Sequence, residues 1–224
     1  MFNDYSVIVN NKKVYRLCKE NNLLLKKSFK AKKYKKFCSN RKVNKPNQVW
    51  EFDIKHGYIH GENKCFYILV YIDVFSRKVI SYHIGLTCKA KNLAATFSTA
   101  LRKANISQHE SLTIRSDNGP QMTSKQFFTY LSTKVQQKVN HEFIPYATPN
   151  KNAHVESFYS IIESEFMRVH YFKDFKDVYK KLLEFIIFYN NTRVHGSLGH
   201  RAPDVVYKHY NNGKTFNKIK EISI

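Results

Sequence analysis

The chain has 224 residues, 42% of them apolar, enough to bury one substantial core with extensions. No window reaches the roughly 18 consecutive apolar residues of a membrane span, and the opening "MFNDYSVIVNNKK" lacks the basic start and long apolar run of a signal peptide. The formal net charge of +21 is uneven: residues 1–50 carry fourteen Lys/Arg against two acids, the other 174 residues 24 against 15. This balance predicts a polyanionic partner, because neutralised phosphates release counterions, and it favours nucleic acid over a membrane surface.

The four cysteines, Cys18, Cys38, Cys65 and Cys88, form no C-x-x-C pair and are widely scattered. That pattern excludes a zinc module or a disulfide framework and predicts free thiols in the cytoplasm. Residues 12–27, "KKVYRLCKENNLLLKK", predict a helix with Val14, Leu17, Leu24 and Leu25 apolar. Residues 28–48 are basic and end in "NKPNQ", a linker pattern, so residues 1–46 are read as a basic, helical DNA-binding segment with its linker. Lys26, Lys27, Lys32, Lys33, Lys35 and Lys36 are its candidate DNA contacts, with Tyr34 and Phe37 interleaved as stacking surface.

The pattern changes at Trp50. "VWEFDIKHGYI" alternates like a half-buried strand, "CFYILVYIDVF" reads as a buried central strand, and "KVISYHIG" is a third strand after a short turn. "TCKAKNLAATFSTALRKAN" follows as a helix capped by Thr87, then "SLTIRSDNG" as strand four. "TSKQFFTYLSTKV" is a helix capped by Thr123 or Ser124, and "NHEFIPYA" is strand five. "NAHVESFYSIIESEFM" is a helix with Val155, Tyr159, Ile162 and Phe166 as its apolar stripe. "DFKDVYKKLLEFIIFYNN" is the last helix, and the chain after Asn191 reads as irregular. The order βββ-α-β-α-β-α-α predicts an α/β fold: a mixed five-stranded sheet with helices on both faces, over residues 47–208, followed by a tail at 209–224.

Three carboxylates stand near strand ends or helix starts. Asp53 lies on the first strand, Asp117 ends the fourth, and Glu156 begins the helix after the fifth. If the first and fourth strands are neighbours, Asp53 and Asp117 sit side by side, and a helix crossing the edge adds Glu156. Such a cluster needs a cation, and hard divalent ions prefer oxygen ligands. Two ions about 3.5–4 Å apart suit in-line displacement at phosphorus.

"VWEFDIKHGYI", "YILVYIDVFSRKVISYHIG", "SDNGPQMTS", "NAHVESFYSIIESEF" and "YNNTRVHGSLGHRAPDVVY" together resemble the integrase-core DDE transposases of bacterial insertion sequences, relatives of retroviral integrases with a ribonuclease-H-like fold. The resemblance covers about residues 47–208, and "KKVYRLCKENNLLLKK" resembles the end of the helical DNA-binding region that precedes such cores. It implies Asp53, Asp117 and Glu156 as catalytic carboxylates binding two Mg²⁺ or Mn²⁺, with DNA cleaved by water and then joined by attack of the freed 3′-hydroxyl. It also implies a homo-oligomer on element ends and target DNA, acting in a bacterial cytoplasm on the nucleoid. Because the chain begins late in the family pattern, an upstream helix-turn-helix protein is an expected partner.

This sequence departs from the family at three other points. The gap between Asp117 and Glu156 is 38 residues, somewhat longer than usual. Glu163 stands where the family commonly has Lys or Arg, and Lys151 precedes Asn152 where the family commonly has Asp. Asn118, Asn152 and His154 are further candidates to line the site, and Arg193 and Arg201 to contact DNA. Asp73, in "YIDVFSR", is expected to hydrogen-bond at a strand end, and His56 and His60 lack the partners of a zinc site. Two rival functions remain: an inactive DNA-binding remnant, and a ribonuclease-H-like nuclease.

Overall fold

The computed structural model describes residues 10–24, 37–38, 41–107, 109–145, 149–211 and 222–223. The six lysines singled out between positions 26 and 36 lie outside the described residues. The chain divides into two compact units, residues 1–34 and 35–224.

The first unit contains helix α1 (Asn11–Glu20), capped by the Asn10 side chain, which accepts the Lys12 N–H at 2.9 Å. The helix is shorter than the expected 12–27. It ends at Asn21 and Asn22, the latter in the left-handed region at φ 54°, which asparagine tolerates better than most residues. No residue of α1 is buried.

In the second unit, β1 (Lys42–Val43) pairs antiparallel with β7 (Ile222–Ser223). Val43 is fully buried, and Arg41 donates to Thr113 Oγ1 at 2.7 Å and to Glu142, so residues 41–43 pack with the core rather than forming a free linker. The main sheet runs in the order β4 (Val79–Gly85), β3 (Lys64–Asp73), β2 (Val49–Ile59), β5 (Ser111–Ser116), β6 (Lys138–Phe143). β2, β3 and β4 form the expected antiparallel meander, and β5 and β6 run parallel to β2.

Period-two alternation along β2 sends Trp50 and Phe52 to one face of the sheet and leaves the odd positions for the other. On the first face they pack with Leu69 and Tyr71 against α2 (Ala90–Ala104) and α3 (Lys125–Thr133). On the opposite face Ile68, Val70 and Ile72 pack under α4 (Ala153–Ile162) and α5 (Phe175–Asn191). The predicted stripe Val155, Tyr159, Ile162 and Phe166 is buried there, and α4 widens into a π-helical turn at Glu163–Met167. Each fully buried aromatic contributes about 2–3 kcal/mol by removal of apolar surface from water.

Two local expectations change, and the choice of cap for α3 is settled. α2 begins after Lys89, whose N–H bonds the Asn92 side chain at 2.9 Å, rather than at Thr87. α3 is capped by Ser124, which accepts the Phe127 N–H at 3.2 Å. The segment after Asn191 is not wholly irregular: α6 (Pro203–Asn211) adds a helix beyond the expected order and buries Val206 and Tyr207. Proline at its first position and Asp204 in its first turn are ordinary helix-start chemistry. Cys18, Cys38, Cys65 and Cys88 are free thiols, and among the described residues no helix is long and apolar enough to cross a membrane.

Candidate active site

β2 and β5 are parallel neighbours in the register Val49 with Thr113, Trp50 with Ile114, and Glu51 with Arg115. Asp53, still on β2, and Asp117, one residue past the end of β5, each lie two residues beyond the last of these pairs, so the two chains leave the ladder with both carboxylates at the same end of the sheet. Asp117 is a turn residue as well: its Oδ1 accepts the Gly119 N–H at 2.9 Å. A Cβ on residue 119 would come within 3.0 Å of that oxygen, so glycine lets the turn close over the carboxylate. Asn118 fastens the same loop to the end of β6, donating to the Ile144 carbonyl at 2.8 Å.

Glu156 lies in the first turn of α4 and is exposed. Its helix is tied to β2 at two levels. Glu51, only 1% exposed, accepts the N–H groups of His154 (2.8 Å) and Val155 (3.0 Å), and lies 2.8 Å from His154 Nδ1. One turn on, the Tyr159 hydroxyl points between the main-chain carbonyls of Asp53 (2.5 Å) and Ile68 (3.0 Å).

The electrostatics link the three expected carboxylates. Burial first, then the negative charges of Asp117 and Glu156, push the Asp53 carboxyl up from 3.8 to about 7, against the Ile54 N–H and Lys55. Burial and the neighbouring Glu51 raise Glu156. Glu51 itself is pushed up to about 7 by burial, against Val155 N–H, Arg115 and Arg77. The three are neighbours without being closed up: among the described residues no three His, Cys, Asp or Glu side chains stand at metal-holding distance. The donor set nevertheless suits a hard divalent cation, because only oxygen ligands are offered and the Asp117 and Glu156 charges that add to burial in raising Asp53 are ones a cation would offset.

Beside Glu156 opens a cavity of about 380 Å³, whose lining includes Lys55, Glu156, Tyr159, Glu163 and Arg168. Glu163 is not a bare negative charge there: it pairs with Lys55 at 2.9 Å and with Arg168 at 3.8 Å. Lys55 stands two residues after Asp53, so β2 supplies a cation next to the position where the family pattern led us to expect one on the helix.

The remaining candidates separate. His154 turns its ring to Glu51 and so helps fasten the start of α4, whereas Asn152 is 2% exposed with its Oδ1 lacking a hydrogen-bond partner and does not cap the helix. Arg193 forms a two-pronged pair with Glu165, with Nε–Oε2 at 2.9 Å and Nη2–Oε1 at 2.5 Å. Arg201 donates to the carbonyls of Leu198 and Gly199, both at 3.3 Å. Both arginines therefore brace the segment after α5. Asp73 is fully buried and accepts from Asn47 N–H (2.7 Å), Ser76 N–H (2.7 Å) and Ser76 Oγ (2.6 Å), the strand-end role expected of it. His56 packs on Tyr67 and His60 on Tyr171. Sequence reading passed over Glu51, Lys55 and the Tyr159 hydroxyl. Glu51 carried one usable signal, being a carboxylate on the same face of the strand as Asp53.

Residues 43–144 and 137–203 match two family models, each described as an integrase core domain. The transposase for insertion sequence element IS904 of Lactococcus lactis is 29% identical over 163 residues, 72% of this chain and 62% of that protein. The chain thus spans about six-tenths of the length of this relative. Among solved structures, a chain of the simian T-cell lymphotropic virus intasome in complex with PP2A regulatory subunit B56 gamma superposes with TM-score 0.61 at 18% identity, over 80% of this chain and 60% of that one. The HTLV-2 integrase catalytic core domain in complex with magnesium superposes with TM-score 0.54 at 16% identity, over 73% of this chain and 97% of that one. These superpositions show the fold, a ribonuclease-H-like sheet, and the two matched segments together run from β1 to α6. The two matches together span residues 43–203, and with Asp53 on β2, Asp117 just past the end of the neighbouring β5 and Glu156 on α4, the chain belongs to the integrase core domain family, which it shares with the insertion-sequence transposase it resembles.

Proposed function

We propose that this chain is the catalytic subunit of an insertion-element transposase, cutting and joining DNA with Asp53, Asp117 and Glu156 as its metal-binding carboxylates. The observation that carries the reading is that Asp53 and Asp117 each follow by two residues the last registered pair of the parallel neighbours β2 and β5, with the charges of both Asp117 and Glu156 reaching the Asp53 carboxyl. Two Mg²⁺ or Mn²⁺ bound there would activate the attacking oxygen and stabilise the leaving one. Asp53 would hold its side from β2 and Asp117 from the turn that follows β5, and Glu156 would close it from the helix. In the first step water attacks phosphorus and the 3′-oxygen leaves with a proton. In the second that 3′-hydroxyl attacks a target phosphodiester and displaces its 3′-oxygen. No nucleophile from the protein is needed.

DNA, a homo-oligomeric assembly on paired ends and a bacterial cytoplasmic setting belong to the same proposal. The expected upstream helix-turn-helix partner finds no support in the comparisons and is not part of it. The test is a cleavage and strand-transfer assay on DNA bearing the element's own ends. Products that appear with Mg²⁺ or Mn²⁺ and vanish with EDTA support the reading; metal-independent products reject it.

Two predictions concern DNA binding. Glu163→Gln releases Lys55 and Arg168, so affinity for DNA at low salt should rise severalfold and the log K versus log salt slope should steepen by about one unit per phosphate gained. Filter binding across a salt series reads both, and an unchanged slope shows that these cations do not face DNA. Deleting residues 1–34, rather than cutting at 46 and losing the Arg41 hydrogen bonds and the buried Val43, should weaken binding and flatten the slope. A slope equal to that of the full chain removes the first unit from the DNA footprint.

A further inference from the structure

We infer that Glu51 is a positioning residue that sets Glu156 against Asp53 and Asp117, an inference that rests on the metal-binding reading of those three. The first amides of an α-helix have no acceptor within the helix, and a side chain at the preceding position usually supplies one. In α4 the Asn152 side chain makes no such bond. The acceptor comes from the sheet instead: Glu51 takes the amides of both His154 and Val155 and lies against the His154 ring.

The same pair of strands holds the carbonyl side of this junction. Arg115, the registered partner of Glu51 and itself fully buried, donates to the Lys151 carbonyl at 3.3 Å and reaches Glu142 at 3.4 Å. The start of α4 is thus fastened to β2, which carries Asp53, and to β5, which leads into Asp117, two residues before each of them. A movement of α4 along the sheet would break three bonds to one carboxylate. Burying a carboxylate costs several kcal/mol, and an apolar contact would anchor a helix more cheaply. What the carboxylate adds is a defined direction and height for the helix, and Glu156 is one residue past the last amide it holds.

The full chain and its Glu51→Gln and Glu51→Ala variants test this. Mn²⁺ binding is read by the loss of the free-ion EPR signal without DNA, with Asp117→Asn as the control that lacks a ligand. Glu51→Gln keeps the side-chain volume and one acceptor, and should bind Mn²⁺ about tenfold more weakly while melting cooperatively; Glu51→Ala should lose more, toward a hundredfold. Variants that fold and bind Mn²⁺ as the wild type does overturn the inference. Wild type that binds no more Mn²⁺ than Asp117→Asn sinks the metal reading itself, a distinguishable result. Hydrogen exchange on the wild type settles the capping without any variant. The His154 and Val155 amides should be protected like those of β2, and exchange at open-chain rates would overturn the role of Glu51 whatever the variants do.

Discussion

Asp117→Asn is expected to lower DNA cleavage and strand transfer by on the order of a thousandfold or more, about 4 kcal/mol of transition-state stabilisation. Binding to DNA at low salt should change little. The substitution separates the two roles of this residue. An asparagine keeps an Oδ1 that can accept the Gly119 N–H, so the turn survives. What is lost is the charge that, in the proposed site, would share the cation with Asp53. Removing it also relieves Asp53, whose carboxyl is held up near 7 partly by this neighbour. The assay runs beside thermal melting and DNA binding on the same preparations. A variant that no longer folds would make Asp117 structural, and one that retains activity would remove it from the ligand set.

The fold was legible in the sequence because each element carried its own period. β2 alternates between two buried faces, and its predicted span, Val49–Ile59, is the observed one. The meander followed from short turns, and the parallel strands from the helices between them. Placing Asp53 beside Asp117 needed only one assumption, that the first and fourth long strands are neighbours, and the observed sheet order satisfies it.

What stayed hidden were relations across the sheet. Glu163 looked like a reversed charge because its partner, Lys55, lies 108 positions earlier, on a strand whose orientation to the helix no local pattern encodes. Tyr159 was recognisable as apolar stripe but not as a donor to the Asp53 carbonyl. Arg193 and Arg201 drew notice as cations in a basic chain, yet each is engaged by protein acceptors, and composition does not tell a solvated cation from a paired one. α6 was missed because its nine residues are too short a stretch for a helical period to be read.

The second large effect concerns stability, and its sign follows from Asp53. Its carboxyl titrates near 7 in the folded chain, against 3.8 as the ordinary value. The unfolded chain therefore releases this proton at lower pH than the folded one does. Across the window from about pH 4 to pH 7 the metal-free fold loses stability as pH rises, and above 7 the whole penalty is present. The full gap would correspond to about 4 kcal/mol at 1.36 kcal/mol per pH unit, but Asp53 is only partly buried, so about 1–2 kcal/mol is the expected share. Asp53→Asn removes the charge and keeps an acceptor for the neighbouring Ile54 N–H. At pH 8 without metal, the variant should melt about 2–6 °C above the wild type, and at pH 4 the two should coincide. Glu51 titrates in the same window in both proteins and cancels in the comparison. Saturating Mg²⁺ should then raise the wild type and not the variant, because only the wild type retains the ligand. A variant that melts below the wild type at pH 8 would mean that Asp53 is held by favourable contacts rather than tolerated for its chemistry, and the metal-site reading would lose its physical basis at that strand.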